Sequence, residues 1–162
     1  MNIQIQKLSP GLISTIAALA LLLFGGTAQA NEAAVTHYDG ERPASAPLFT
    51  SLETVAASYW QARAVALPVP VAAMVAPESA LEAAGRGELG GPRVWIATSQ
   101  IPSKGLRWSA RWSMLVALCG TYIHERGHNA GLLDGDPAWA IMGGQVGGVP
   151  PKCEAWAYRL AR

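Results

Sequence analysis

The sequence predicts an α+β fold: a compact single domain with a small mixed sheet, a long helix and a short C-terminal helix. Three observations predict it. Apolar residues recur at helical spacing from Ser109 to Ala130. Residues 93–98 are rich in β-branched and aromatic side chains, which is typical of a strand. The 162 residues suffice for one domain with its own core.

The first 30 residues are predicted to be a secretory signal peptide. Lys7 gives a weakly positive start, an apolar run covers Leu12–Phe24, and small residues at Ala28 and Ala30 are typical of a cleavage site. A membrane anchor is the alternative, although the apolar run is short for a span and two glycines follow it. We therefore expect a secreted or periplasmic protein without a stable membrane anchor after cleavage.

Residues 31–50 are predicted to be an extended N-terminal arm or a short propeptide, because prolines and small polar residues are frequent there. The folded domain would span residues 51–162. Its first helix should begin near Ser51, a residue type that caps helices, and run to about Ala66 with apolar residues on one face.

The next segment predicts a small sheet. Prolines within residues 67–76 place that strand at a sheet edge or confine its pairing to the second half. One or two helical turns over 78–84 and a loop over 85–91 lead to the strongest strand, residues 93–98. The long helix follows, then a turn-rich loop over 136–148.

Pro151 should open the C-terminal helix, Lys152 to Ala161. The two cysteines, Cys119 and Cys153, are an even pair behind an export signal, so we expect one disulfide between the long helix and the C-terminal segment. Two free, buried thiols are the alternative.

The overall charge balance of the chain limits the kind of partner that it is expected to bind. Without Lys7, which lies in the predicted signal peptide, 11 lysines and arginines balance 11 acidic residues, which argues against nucleic acid or an anionic membrane as the main partner.

The pairs Arg107-Trp108 and Arg111-Trp112 repeat at helical spacing. Stacking on nucleic acid is one interpretation; we favour tryptophans that pack inward while the arginines face solvent. We expect a monomer.

The most informative segment runs from His124 to Asp134. His124 and His128 are four residues apart and share one helix face, where two imidazoles can bind one zinc ion. Glu125 can activate a water on that metal. Gly131 can end the helix, and Asp134 can then return as a third ligand.

This pattern, HExxHxxGxxD, resembles the metzincin zinc peptidases, and its aspartate variant is similar to the small secreted bacterial peptidases of the snapalysin type. Gly127 occupies a motif position where those enzymes commonly carry glycine, and Met142 in Ala140–Gly143 resembles their Met-turn. The resemblance covers residues 93–144. It implies a zincin domain whose edge strand lies above the active-site helix, and Val94–Gln100 is the segment we assign to that role.

The family usually has about five strands, whereas the sequence indicates two or three. Either strands are hidden in residues 31–50 and 67–91, or the sheet is a trimmed version. The resemblance implies zinc held by His124, His128 and Asp134, with Glu125 as general base and a protein or peptide as substrate.

Competing assignments remain for single residues. Asp136 and Glu154 are the rival third ligands, the latter on the pattern of gluzincins, which use a glutamate from a later helix. Met142 is core filler on the alternative interpretation. His37 is expected to be solvated.

The function that follows is an exported zinc endopeptidase. One alternative is an inactive metzincin-like module that binds or inhibits another protein. A second is a zinc amidase that acts on cell-wall peptide.

Overall fold

Four α-helices and a four-stranded mixed sheet make up the residues that the structure, a computed structural model, describes: 37–68, 72–136, 139–143 and 149–162. The predicted signal peptide and residues 31–36 lie outside that part. The helices are α1 (Ala46–Gln61), α2 (Glu78–Leu81), α3 (Trp108–Asn129) and α4 (Pro151–Ala161). The strands are β1 (Arg42–Pro43), β2 (Ala72–Ala76), β3 (Gly85–Gly87) and β4 (Arg93–Ala97). The predicted α+β class is confirmed.

The sheet has the order β1-β2-β4-β3. Strands β2 and β4 are parallel at its centre, and β1 and β3 pair antiparallel at the two edges. Within the described residues, pairing of the 67–76 segment covers Ala72–Ala76, its second half, as predicted from its prolines. The alternative, an edge position, is wrong because β2 is an interior strand. The two short edge strands, β1 and β3, lie in residues 31–50 and 67–91, where hidden strands were one of the two alternatives, although an arm and a loop were assigned to those positions.

Strand β4 lies in the interior of the sheet, and both of its faces are buried. Val94 and Ile96 face the main core, while Trp95 and Ala97 belong to a second apolar cluster on the opposite face. A strand with two buried faces has apolar residues in succession, which agrees with the β-branched and aromatic residues that predicted it.

Helix α1 differs from its prediction at both ends. It begins at Ala46, inside the segment predicted to be extended, because Pro47 occupies its first turn, where a missing N–H costs nothing. Ser51 does not cap the helix; its hydroxyl donates to the Leu48 carbonyl and accepts from the Trp156 indole. The helix ends at Gln61, so the predicted end near Ala66 is wrong.

Helices α3 and α4 match their predicted extents within one residue. Cys119 and Cys153 form the predicted disulfide, with Cα atoms 5.5 Å apart, and so fasten α4 against the middle of α3. One expectation for α3 is wrong: Trp108 does not pack inward but is 47% exposed. In the described part of the chain, no helix has the length and apolarity needed to cross a membrane.

Candidate metal centre

The two histidines lie in the last two turns of α3, with ring centroids 4.8 Å apart. His124 Nδ1 is 2.8 Å from the Ile141 carbonyl oxygen, and His128 Nδ1 is 2.8 Å from that of Leu132. Because a carbonyl can only accept, each Nδ1 carries a hydrogen. In the neutral ring the lone pair is then on Nε2, which is the nitrogen free to bind a metal.

Gly131 ends α3 as its sequence position predicted. Its φ is +86°, a left-handed conformation that glycine adopts without strain. The Leu132 N–H donates to the Gly127 carbonyl and the Gly131 N–H to that of His128, which together form a Schellman motif. The chain is thereby turned back towards the histidine face.

Asp134 arrives beside both imidazoles after that turn. Its Oδ1 lies 3.1 Å from His124 Nε2 and 3.5 Å from His128 Nε2. A hydrogen bond of 2.7 Å from the Gly135 N–H to the Met142 carbonyl fastens the loop. Of the rival ligands, Glu154 lies exposed in the first turn of α4. Asp136 accepts the Trp139 N–H through its backbone carbonyl, and no contact of its carboxylate with either histidine is found among the described residues.

Glu125 is the buried member of the group, with 6% of its surface exposed. Its Oε2 is 3.9 Å from His128 Nε2, and ligand atoms of His124, Glu125 and His128 all lie within 4.8 Å of one another. Burial raises the pKa of its carboxyl to about 7, and the Asp134 carboxylate adds to that rise. His124, a hydrogen bond from the Gly87 N–H and the positive charge of Arg86 oppose it. A carboxyl with this pKa can both accept and donate a proton near neutral pH.

The edge strand beside this group is β3, so the assignment of that role to Val94–Gln100 is wrong. Strand β4 is interior, and residues 98–100 form a turn of 3₁₀-helix. A Cβ on Gly87 would overlap the Glu125 carbonyl oxygen, and one on Gly85 would lie 2.8 Å from Thr121 Cγ2. The two glycines therefore let the strand backbone lie directly against α3, and their Gly-x-Gly spacing was the signal that went unused.

Met142 packs against α3 at Gly127, which lies between the two histidines in sequence. It is fully buried in the 3₁₀ turn Ala140–Met142. A Cβ on Gly127 would be 2.5 Å from the Met142 sulfur and 2.9 Å from the Trp60 ring, so only glycine allows both to pack against the helix there. Ile141 in the same turn supplies the carbonyl that holds His124.

Sequence reasoning missed a polar network on the opposite side of α3. The Arg126 guanidinium, fully buried, donates to the Glu53 carboxylate, to Asn129 Oδ1 and to the Pro68 carbonyl. Asn129 in turn donates to the carbonyls of Glu88 and Arg93. The network thus holds the β3–β4 hairpin on the metal-site helix. The spacing of Arg126 and Asn129, three residues apart and off the histidine face, could have indicated it.

The histidines, Glu125 and Asp134 line a cleft of about 800 Å³. A larger cavity of about 1100 Å³ lies between α1 and α3 and has Arg126 and Tyr122 in its wall. It is separate from the histidine cleft. His37 takes no part in the centre and instead contacts Glu41 at 2.7 Å.

No family model, curated protein or solved structure matches this chain. The functional argument therefore depends on the geometry of the centre.

Proposed function

We propose that this chain is an exported zinc-dependent endopeptidase with a metzincin-like centre. One observation carries the proposal. A carboxylate oxygen of Asp134 meets the Nε2 atoms of both His124 and His128, whose Nδ1 atoms are held by backbone carbonyls, with the buried Glu125 beside them.

The donor set fits zinc. Two neutral imidazole nitrogens and one carboxylate oxygen are ligands that zinc takes at catalytic sites, where a fourth position stays open. The bound ion would supply Lewis acidity and lower the pKa of a coordinated water. The carbonyl partners of His124 and His128 are the kind of support that orients metal-binding imidazoles.

Glu125 is the general base in this proposal. Its carboxylate lines the same cleft as the two imidazoles, where it could take a proton from the attacking water and return it to the leaving amine. Its burial keeps this proton exchange away from bulk solvent.

The surroundings of the cleft favour an extended peptide as substrate. β3 is the last strand of the described sheet, so its outer edge can add a peptide strand through backbone hydrogen bonds. Leu89 and Leu133, which are 55% and 60% exposed, line the cleft and offer apolar contact to side chains. The Cys119–Cys153 disulfide is consistent with an oxidising, extracytoplasmic location.

Metal analysis of the purified protein, paired with casein digestion, tests the proposal. We expect zinc in both the wild type and Glu125→Ala, and casein digestion by the wild type alone. Zinc with cleavage of peptidoglycan fragments but not casein would point to the cell-wall amidase. Zinc without either activity would point to the inactive binding module, and absence of zinc would refute all three.

A further inference from the structure

An exposed group of aromatic rings lies at the end of the molecule where α3 begins. Trp108 stacks on Trp112 with centroids 6.3 Å apart, and its ring meets Tyr158 of α4 edge-on at 6.0 Å. The Arg162 guanidinium lies 4.3 Å above the Tyr158 ring. We call these four residues, together with Arg107 at the helix start, the aromatic cap. Trp108 and Tyr158 are 47% and 43% exposed, which is unusual for rings of this size.

The chain around the start of α3 carries an excess of basic residues. No acidic residue occurs between Glu88 and Glu125, whereas Lys104, Arg107 and Arg111 all lie in that stretch. The first turn of α3 has neither an acidic residue nor a side-chain cap, so the positive end of its dipole is not neutralised there. The net charge of the whole chain is only +1, so this local excess of basic residues is not evident from the overall composition.

We propose that the aromatic cap docks reversibly on the surface of an anionic phospholipid bilayer. Tryptophan and tyrosine are enriched at membrane interfaces, because their ring bodies enter the apolar boundary while the polar atoms stay wet. Arginine and lysine beside them attract anionic headgroups. His124 lies 16 residues along α3 from Trp108, or about 24 Å at helical rise. Docking through the cap therefore leaves the histidine cleft open to substrate.

The geometry favours a bilayer over single-stranded nucleic acid. Nucleic-acid binding needs free ring faces on which successive bases can stack. Trp108 is already in offset contact with Trp112, and the Arg162 guanidinium lies over a face of Tyr158. The cap therefore offers few free ring faces for bases, whereas its mixture of rings and guanidinium groups suits an interface of lipid headgroups.

Quenching of tryptophan fluorescence by brominated lipid tests the proposal on the full chain. The probe is a vesicle of equal parts phosphatidylglycerol and brominated phosphatidylcholine, with brominated phosphatidylcholine alone as the neutral control. Trp60, Trp95 and Trp156 are at most 2% exposed, and no tryptophan occurs in residues 1–36. We expect quenching by the anionic vesicle, its loss in Trp108→Phe and its retention in Trp139→Phe.

A charge-reversal variant provides the second part of the test. Arg107→Glu should weaken partitioning to the anionic vesicle about 25-fold, because each unit charge near such a surface is worth roughly a factor of five. A glutamate at a helix start is favourable, so this variant should stay folded. Arg42→Glu, on β1 and outside the cap, makes the same charge change and should have little effect.

Three outcomes would overturn the proposal. They are equal quenching by neutral vesicles, quenching that persists in Trp108→Phe, and equal weakening by Arg107→Glu and Arg42→Glu. Binding of a single-stranded oligonucleotide that depends on Trp108, without quenching by anionic vesicles, would assign the cap to nucleic acid and also overturn it.

Discussion

Replacing Glu125 by glutamine should remove a large part of the pH dependence of stability in the metal-free protein. The carboxyl has a pKa of about 7 in the fold, because it is buried, against 4.5 for an unperturbed group. Glutamine has nearly the same shape and keeps an oxygen that can accept the Gly87 N–H, but it cannot ionise.

The direction follows from proton binding. Between pH 4.5 and 7 the folded state keeps the Glu125 proton while the unfolded state has lost it. The free energy of unfolding therefore falls as the pH rises through this window, and the stability that is fully present below pH 4.5 is lost above pH 7. A shift of this size corresponds to roughly 3 kcal/mol, at 1.36 kcal/mol per pKa unit.

Urea unfolding in the presence of a chelator, followed at acid and at mildly alkaline pH, measures the effect. We expect Glu125→Gln to match the wild type near pH 4.5 and to exceed its stability by up to about 3 kcal/mol at pH 8. Glu154→Gln, an exposed position on α4, is the matched control and should follow the wild type at both values. Parallel pH profiles for Glu125→Gln and the wild type would refute the reasoning.

Three further outcomes can be measured. Asp134→Ala should weaken zinc binding by more than roughly 100-fold in a competition titration, since even the partners of metal ligands are worth 10- to 100-fold, whereas Glu154→Ala should bind as the wild type does. Equal affinities would exclude Asp134 as a ligand. Gly87→Ala should lower stability by about 1–3 kcal/mol in urea unfolding, because its Cβ overlaps the Glu125 carbonyl; an unchanged midpoint would show that β3 does not lie so close to α3. Replacing both Cys119 and Cys153 by serine should lower stability by roughly 3–4 kcal/mol on thermal or urea unfolding, and a negligible change would argue against the bridge.

The sequence predicted the elements whose signals are local. The extent of α3 follows from apolar spacing and from Gly131, which needs no partner beyond its own helix to end it. The start of α4 follows from Pro151, because proline is favoured at the first position of a helix. The predicted start of α1 was too late, because the prolines of residues 31–50 favour an extended arm, although Pro47 in the first turn is compatible with a helix.

Other features depend on residues that are distant in sequence. Strand β3 depends on two glycines that lie against Glu125 and Thr121 of α3. The Gly-x-Gly spacing indicates a close backbone approach, but it does not specify which distant helix is approached. The buried position of Arg126 likewise depends on Glu53, 73 residues away, because an unpaired guanidinium would be too costly to bury.

The candidate centre combines both kinds of information. The spacing of His124 and His128 is a property of one helix, so the sequence sufficed to put two imidazoles on one face. The approach of Asp134 to both Nε2 atoms, in preference to Glu154, required the loop to be fastened to Met142. Local spacing specifies which side chains share a face, because helical geometry repeats with each turn. It carries no information on which distant backbone closes over that face, since such contacts form only when the chain packs.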